Sequence, residues 1–229
     1  MSRPGRAPQL DLSAPEIYEQ RRLGAIAARW DERARSWDDQ LADPSCHLNE
    51  DEAYGRFLDE VDSAIQERRD FCASQGVLDV GCGTGLVMEH VIAAFAWGIG
   101  IDISPRMIQV AAGKNIRRAR FAVGDCFALP AICPAAGAVL SRGVLLSHYG
   151  RRNAGELLAA GYRALVPGGM LAFDFLNDAA RGTTAHDPGN KTYFLPDHVR
   201  DLAVAAGFKS TRVLGNEDRR VLILLAIRD

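Results

Sequence analysis

Three glycines at alternate positions follow the largely apolar residues 77–80 and could turn the backbone closely around a ligand. Gly81 would permit a tight exit from a strand, while Gly83 and Gly85 remove Cβ atoms so that the main chain can approach the ligand. The NAD-binding spacing G-x-G-x-x-G is not met, because Leu86 stands where its last glycine is expected, and no Gly-Lys-Ser/Thr of a P-loop follows. The loop therefore predicts a binding site without either of the best-known phosphate signatures.

Three aspartates lie within or at the ends of predicted strands and could bind a nucleoside. Asp102 ends the run GIGID about 20 residues beyond the glycine loop, where an acid can accept both hydroxyls of a ribose. Asp125 follows the third strand and can accept from an exocyclic amine, while the Cys126 amide can face an adenine ring nitrogen. Asp79, inside the glycine motif, provides an anion that suits an amino group better than a phosphate.

Short apolar runs that alternate with helical stretches would position these residues. Such alternation implies right-handed crossovers and a parallel sheet covered on both faces, so we predict a doubly wound α/β fold with a mostly parallel seven-stranded sheet. The last two strands are joined only by the polar GNEDR and are expected to pair as an antiparallel hairpin. In chain order the strands lie in VLDV, GIGIDI, ARFAVG, AGAVLS, MLAFDF, STRVLG and RRVLILLAIRD.

Composition shifts divide the chain into three regions. Residues 1–15 are rich in Pro, Arg and Ser without periodicity, which predicts a disordered leader. Residues 16–75 carry apolar side chains at spacings of three and four, which predicts an N-terminal helical lid. Residues 76–229 would form the α/β domain.

The overall composition indicates a globular protein with a small partner. The 229 residues are 48% apolar and 24% charged with a formal net charge of -2, so no global field draws the chain to nucleic acid or anionic lipid. No apolar run is long enough to span a membrane and no secretory signal is evident, so we expect a cytoplasmic location. The five cysteines lack C-x-x-C spacing, and no metal-ligand spacing is found.

Four motifs together resemble a class I (Rossmann-like) S-adenosylmethionine-dependent methyltransferase of the small-molecule type. These are LDVGCGTG, GIDIS, GD before a short Leu-Pro, and PGG before MLAFDF. The resemblance spans roughly residues 76–229, and the upstream WDERARSWDD is similar to a helix that often precedes this domain. It implies S-adenosylmethionine as the cofactor and S-adenosylhomocysteine as the product.

The resemblance also implies roles for individual residues. Asp79 and the loop backbone would contact the methionine moiety, Asp102 would bind the ribose, and Asp125 with Cys126 would hold the adenine. Trp37 stands where the family commonly has a tyrosine that closes over the cofactor, although a helix-packing role is equally open. The remaining cofactor contacts implied are Gly81, Gly83 and Gly85, Ile103 on the adenine face, and Ser141 and Arg142 beside the amino-acid part.

The loop after the fourth strand, SRGVLLSHYG, is expected to open towards the methyl acceptor. A sulfonium methyl is already activated, so a general base is needed only for a hydroxyl or protonated amine acceptor, and a histidine is then the natural choice. His148 and Tyr149 are the predicted catalytic residues; a capping or supporting role for His148 stays open. Predicted acceptor contacts come from the lid and from a flap after the fifth strand: His47, Tyr54, Asp178 and His186.

The acceptor is predicted to be a small molecule. Amino-methylating nucleic-acid enzymes carry Asp/Asn-Pro-Pro-aromatic after the fourth strand, whereas residues 141–144 read Ser-Arg-Gly-Val. We expect N- or O-methylation in natural product biosynthesis by a monomer or homodimer. A non-catalytic S-adenosylmethionine-binding module, a relative with different chemistry, and a less favoured NAD-dependent oxidoreductase remain as alternatives.

Overall fold

The computed structural model describes residues 20–43, 52–133, 135–182 and 191–229. The side chains of residues 20–23 and 25 are not described. The predicted leader, residues 1–15, and the predicted acceptor contacts His47 and His186 lie outside these ranges.

A seven-stranded sheet forms the centre of the molecule, with the strand order β3-β2-β1-β4-β5-β7-β6. Strands β1 to β5 pair in parallel, while β7 runs antiparallel to both β5 and β6. The predicted doubly wound fold, its strand count and its C-terminal antiparallel hairpin are therefore confirmed. The strands are β1 (Gly76–Val80), β2 (Trp97–Asp102), β3 (Ala119–Val123), β4 (Ala136–Ser141), β5 (Leu165–Leu176), β6 (Ser210–Leu214) and β7 (Val221–Ile227).

Helices cover both faces of the sheet because the central strands are apolar throughout. Strands β1, β2 and β4 are buried at every position, as expected for parallel strands between two helical layers. The helices are α1 (Gln20–Arg33), α2 (Trp37–Ala42), α3 (Ala53–Gln66), α4 (Arg69–Ser74), α5 (Leu86–Val91), α6 (Pro105–Gly113), α7 (Leu129–Ile132), α8 (Arg151–Ala164) and α9 (Pro196–Ala206).

The N-terminal helical region has two structurally different parts. Phe57 and Val61 of α3 and Cys72 of α4 are fully or almost fully buried in the core cluster on one face of the sheet. Helix α1 instead contacts α6, which follows β2. Of the region predicted as a lid, α3 and α4 thus belong to the helical layer, and the lid stays a prediction for α1 and α2 alone.

Strand β1 lies between β2 and β4, so the strand order reverses on either side of it. In open α/β sheets this switch point opens a crevice at the carboxyl ends of the strands, where ligands bind. The residues that follow β1, β2, β3 and β4 therefore meet at one edge.

No helix among the described residues is both long and apolar enough to cross a bilayer.

Candidate functional site

The glycine loop leaves β1 through backbone conformations that favour glycine. The φ angles of Gly81, Gly83 and Gly85 are 68°, 53° and 83°. A Cβ on Gly85 would lie 3.0 Å from the Phe121 ring, so this glycine also allows the loop to pack against β3. Hydrogen bonds fix the loop: the Cys82 amide donates to the Ile101 carbonyl at 2.9 Å.

Asp102 links the glycine loop after β1 to the loop after β2 at the carboxyl edge of the sheet. Its carboxylate accepts from the Gly83 amide at 2.9 Å and from the Ser104 amide at 2.8 Å. Burial raises the pKa of Asp102, and the surrounding amides counteract this rise. Since each carboxylate oxygen has a second lone pair, Asp102 can brace the glycine loop and still accept from ribose hydroxyls.

Asp79 is the most isolated polar group of the site. It is fully buried in β1, and neither of its oxygens has a hydrogen-bond partner of normal geometry within the described part of the chain. Burial raises the pKa of Asp79 to about 7; the Met88 amide counteracts the rise and the Asp102 charge adds to it. A buried acceptor without a donor fits a ligand that brings an amino group.

The residues that follow β3 form a separate wall of the candidate site. The Asp125 carboxylate accepts from the Phe127 amide at 2.7 Å, and the Cys126 sulfur lies 3.2 Å from the Tyr149 hydroxyl. The Tyr149 ring also meets the Phe127 ring edge-on, with 5.0 Å between centroids. Tyr149, predicted beside the acceptor, is therefore packed against the predicted adenine-binding residues.

The ends of β4 and β5 hold the loop that follows β4. Ser141 is buried and donates from its hydroxyl to the Val80 carbonyl at 2.7 Å, which ties β4 to β1. Asp174 of β5 is also buried and accepts from the Gly143 amide at 3.1 Å and the Val144 amide at 2.6 Å. Sequence reasoning missed Asp174, although a carboxylate within the apolar strand MLAFDFL was a usable signal.

Arg142 and Tyr54 lie against each other at this edge. The Arg142 guanidinium carbon is 4.7 Å from the centroid of the Tyr54 ring. Burial raises the pKa of Tyr54 to about 12; the Arg142 charge counteracts the rise and the Asp79 charge adds to it. A predicted cofactor residue and a predicted acceptor residue are thus in contact near Asp79.

Helices α1 and α2 lie over the glycine loop. The Trp37 indole nitrogen lies 3.5 Å from the position that a Gly83 Cβ would take, so the indole covers the loop. Asp38 accepts from the Thr84 hydroxyl and forms an ion pair with Lys114 at 2.7 Å.

Asp31 docks the other end of this lid on α6. Its carboxylate accepts from the Ser104 hydroxyl at 2.5 Å and from the Arg106 amide at 3.0 Å. Asp31 and Asp38 were not predicted as site residues, although both occur in the WDERARSWDD segment.

His148 ends the helical turn 145–148 and faces the lid. Its ring centroid is 6.0 Å from that of Trp30, which in turn lies 5.5 Å from that of Trp37. Burial, followed by the charges of Lys191 and Arg29, lowers the pKa of His148 to about 3, and a hydrogen bond with the Gly143 backbone opposes this fall. His148 is therefore neutral at physiological pH, and its environment disfavours the imidazolium form.

Two further predicted residues have more limited contacts. Ile103 is half-buried directly after Asp102. Asp178 is exposed, and its carboxylate lies 3.9 Å from the Arg181 guanidinium. No group of three potential metal ligands occurs among the described residues.

A doubly wound sheet with a glycine turn after β1, an acid at the end of β2 and a buried carboxylate facing the turn defines a nucleoside-binding domain of the Rossmann-like class. The family profile of a methyltransferase domain matches residues 77–169, and a solved structure similar to this chain holds S-adenosylmethionine, a methyltransferase cofactor. The buried acceptor of Asp79 fits the amino group of this cofactor.

Similar proteins are known by sequence and by structure. The ubiquinone biosynthesis O-methyltransferase of Idiomarina loihiensis is 30% identical over 116 residues, which are 49% of this chain and 47% of that protein. The chain thus matches about half the length of this curated relative. Magnesium protoporphyrin IX methyltransferase from Synechocystis PCC 6803 with bound S-adenosylhomocysteine has a TM-score of 0.68 and 17% identity, covering 90% of this chain and 99% of that one.

One structural neighbour is named for a different reaction. The [4+2]-cyclase SpnF has a TM-score of 0.68 and 18% identity, covering 89% of this chain and 94% of that one. The solved structures that share this fold therefore include proteins named for more than one reaction.

Proposed function

We propose that this protein transfers the methyl group of S-adenosylmethionine to a nitrogen or oxygen atom of a small molecule in natural product biosynthesis. The observation that carries the proposal is the buried carboxylate of Asp79 beside the glycine loop, which has no hydrogen bond of normal geometry among the described residues and can therefore accept from the amino group of a ligand.

The proposed cofactor contacts divide by moiety. Asp79 would accept from the amino group, Asp102 from the ribose hydroxyls, and Asp125 from the adenine amine. Trp37 would close over the cofactor and keep water away from the reacting atoms. Supporting contacts are proposed for Gly81, Gly83, Gly85, Ile103, Cys126, Ser141 and Arg142.

His148 is the proposed general base. When bound, the cofactor supplies an activated sulfonium methyl, so the protein needs only to align the acceptor lone pair and to remove its proton. His148 would take that proton from a hydroxyl or an ammonium group, which requires that acceptor binding raise the pKa of His148 from about 3. Tyr149 is proposed as a second catalytic residue, on the adenine side of the site. Tyr54 is proposed to contact the acceptor.

A test uses S-adenosylmethionine with a deuterated methyl group and a panel of phenols, amines and carboxylic acids. Mass spectrometry should detect acceptors that carry the deuterated methyl, together with S-adenosylhomocysteine in equal amount. Absence of label from every product, with S-adenosylmethionine unconsumed, would contradict the proposal.

A second candidate is a reaction other than methyl transfer on the same fold. The similarity to the [4+2]-cyclase SpnF is the observation that favours it. In the same experiment, a product that is isomeric with its substrate and free of deuterium would support this candidate.

A further inference from the structure

Three cations lie near one another around Trp30 and His148. Arg29 and Arg33 are one turn apart on α1, on either side of Trp30, and Lys191 faces them from the segment before α9. Within the part of the chain that the structure describes, none of the three forms an ion pair with a carboxylate.

The position of Lys191 is fixed by the backbone next to it. The Thr192 amide donates to the Ser147 carbonyl at 2.8 Å, which holds this segment against the turn that carries His148. Asp174 is the carboxylate that attracts Lys191, but it already accepts from two backbone amides. Lys191 is therefore held in a half-buried position, and no carboxylate among the described residues serves it as a dedicated counterion.

The three cations repel one another. Burial, and then the charges of Arg29 and Arg33, lower the pKa of Lys191 to about 7. Like charges one helical turn apart are themselves unfavourable on a helix surface. An arrangement that gathers and desolvates charges of one sign is stabilised when an ion of the opposite sign binds.

Aromatic surfaces lie directly beside the cations. The Trp30 ring contacts the Arg33 guanidinium at 5.5 Å on one side and approaches His148 and Trp37 on others. A flat apolar molecule could therefore stack here while its charged group reaches the cations.

We propose that the methyl acceptor is an aromatic or conjugated molecule that carries an anionic group, carboxylate or phosphate. Arg33 and Lys191 would bind the anion, and Trp30 would pack on the aromatic ring of the acceptor. Arg29 would add positive charge nearby. This inference rests on the proposed methyl transfer, because it assigns Arg29, Arg33 and Lys191, the cationic cluster, to the acceptor of that reaction. An anion here also counteracts the two cations that lower the pKa of His148.

Calorimetry on the full chain tests the proposal in two stages. S-adenosylhomocysteine is titrated first, and failure to bind would count against the proposed function itself. The S-adenosylhomocysteine-loaded protein is then titrated with 1-naphthoate, 1-naphthyl phosphate and the neutral 1-naphthamide. At least one anionic probe should bind about tenfold or more tightly than the amide, as one charge-assisted hydrogen bond would give. The tighter anion identifies which of the two groups the acceptor carries.

Variants test whether the cationic cluster causes the preference for the anionic probe. Two variants, Lys191→Met and Arg33→Met on α1, should each reduce the preference for the anion several-fold. The affinity for S-adenosylhomocysteine should stay unchanged in both. Lys209→Met is the matched control, because Lys209 is exposed and lies next to Ser210, which pairs with Ile227 at the opposite edge of the sheet. Equal binding of all three probes, or a preference that survives both cluster variants, would overturn the proposal.

Discussion

The four aspartates of the carboxyl edge have different hydrogen-bond environments. Asp102 and Asp174 each accept from two backbone amides. Asp125 accepts from one, and Asp79 from none of normal geometry among the described residues. The acid with the fewest protein donors is the one that has most to gain from a cofactor.

Sequence reasoning located Asp79, Asp102 and Asp125 because each lies within or directly after a short apolar strand, a position that periodicity reveals. It could not locate Lys191, whose importance depends on Arg29 and Arg33, far away in the chain. Such contacts depend on how separate elements pack, and no local pattern records them.

Replacing Asp79 by Asn should stabilise the ligand-free protein at pH 8 and weaken cofactor binding. Because the pKa of Asp79 is about 7 when folded, well above its ordinary value, its contribution to stability is present in acid and is lost as pH rises towards 7. The neutral amide avoids a buried unpaired charge, so we expect a gain of about 1–3 kcal/mol at pH 8 and little at pH 4.

Thermal unfolding at the two pH values, with and without S-adenosylhomocysteine, measures this effect. An Asp79→Asn variant that is less stable at pH 8 would mean that the native carboxylate has a donor that the structure does not reveal.

Replacing Asp102 by Ala should weaken S-adenosylmethionine binding through the lost ribose acceptor and the loosened glycine loop. A charged acceptor contributes about 1.5–3 kcal/mol, or roughly 10- to 150-fold in Kd. Calorimetry would measure the affinity, with the exposed Asp70→Ala as the control. Unchanged affinity in Asp102→Ala would refute the ribose assignment.

Replacing His148 by Gln should lower kcat with little change in cofactor affinity. Because its pKa is about 3, His148 stays neutral as pH falls from 7 to 5, so kcat/KM, which reports the free enzyme, should show no loss from its protonation there. A fall in kcat/KM with a midpoint near the ordinary histidine value, present in the wild type and absent from His148→Gln, would contradict this environment.

At the scale of elements, hydrophobic periodicity predicted that the N-terminal region is helical but not how its helices divide. Helix α3 buries Phe57 and Val61 in the core, whereas α1 and α2 attach to the domain through polar contacts of Asp31 and Asp38. A polar interface can open at lower cost than a buried apolar one, so α1 and α2 are the elements suited to move.

Replacing Asp38 by Ala should loosen this lid and speed cofactor release. Asp38 bridges α2 to the glycine loop through Thr84 and to α6 through Lys114. We expect the dissociation rate of S-adenosylhomocysteine to rise about tenfold, corresponding to the loss of one charge-assisted contact.

Stopped-flow fluorescence would measure this rate, with Asp39→Ala as the matched control because Asp39 is exposed on the same helix. Equal rates in both variants would show that Asp38 does not hold the lid over the cofactor.

At the scale of the whole molecule, strand order and crossover rules sufficed to predict the sheet and the edge at which the ligand binds. The cofactor half of the site follows from that edge, because its residues come from consecutive strand ends. The proposed acceptor half would combine α1, the turn after β4 and the segment before α9, which come together only when these elements pack.

Whether the site binds S-adenosylmethionine can be measured by calorimetric titration of the purified protein with S-adenosylmethionine and S-adenosylhomocysteine, with NAD as the control. We expect the first two ligands to bind with dissociation constants on the order of micromolar, about −8 kcal/mol, and NAD not to bind. Binding of NAD alone would contradict the proposed cofactor, because the three glycines and Asp102 would then serve a dinucleotide.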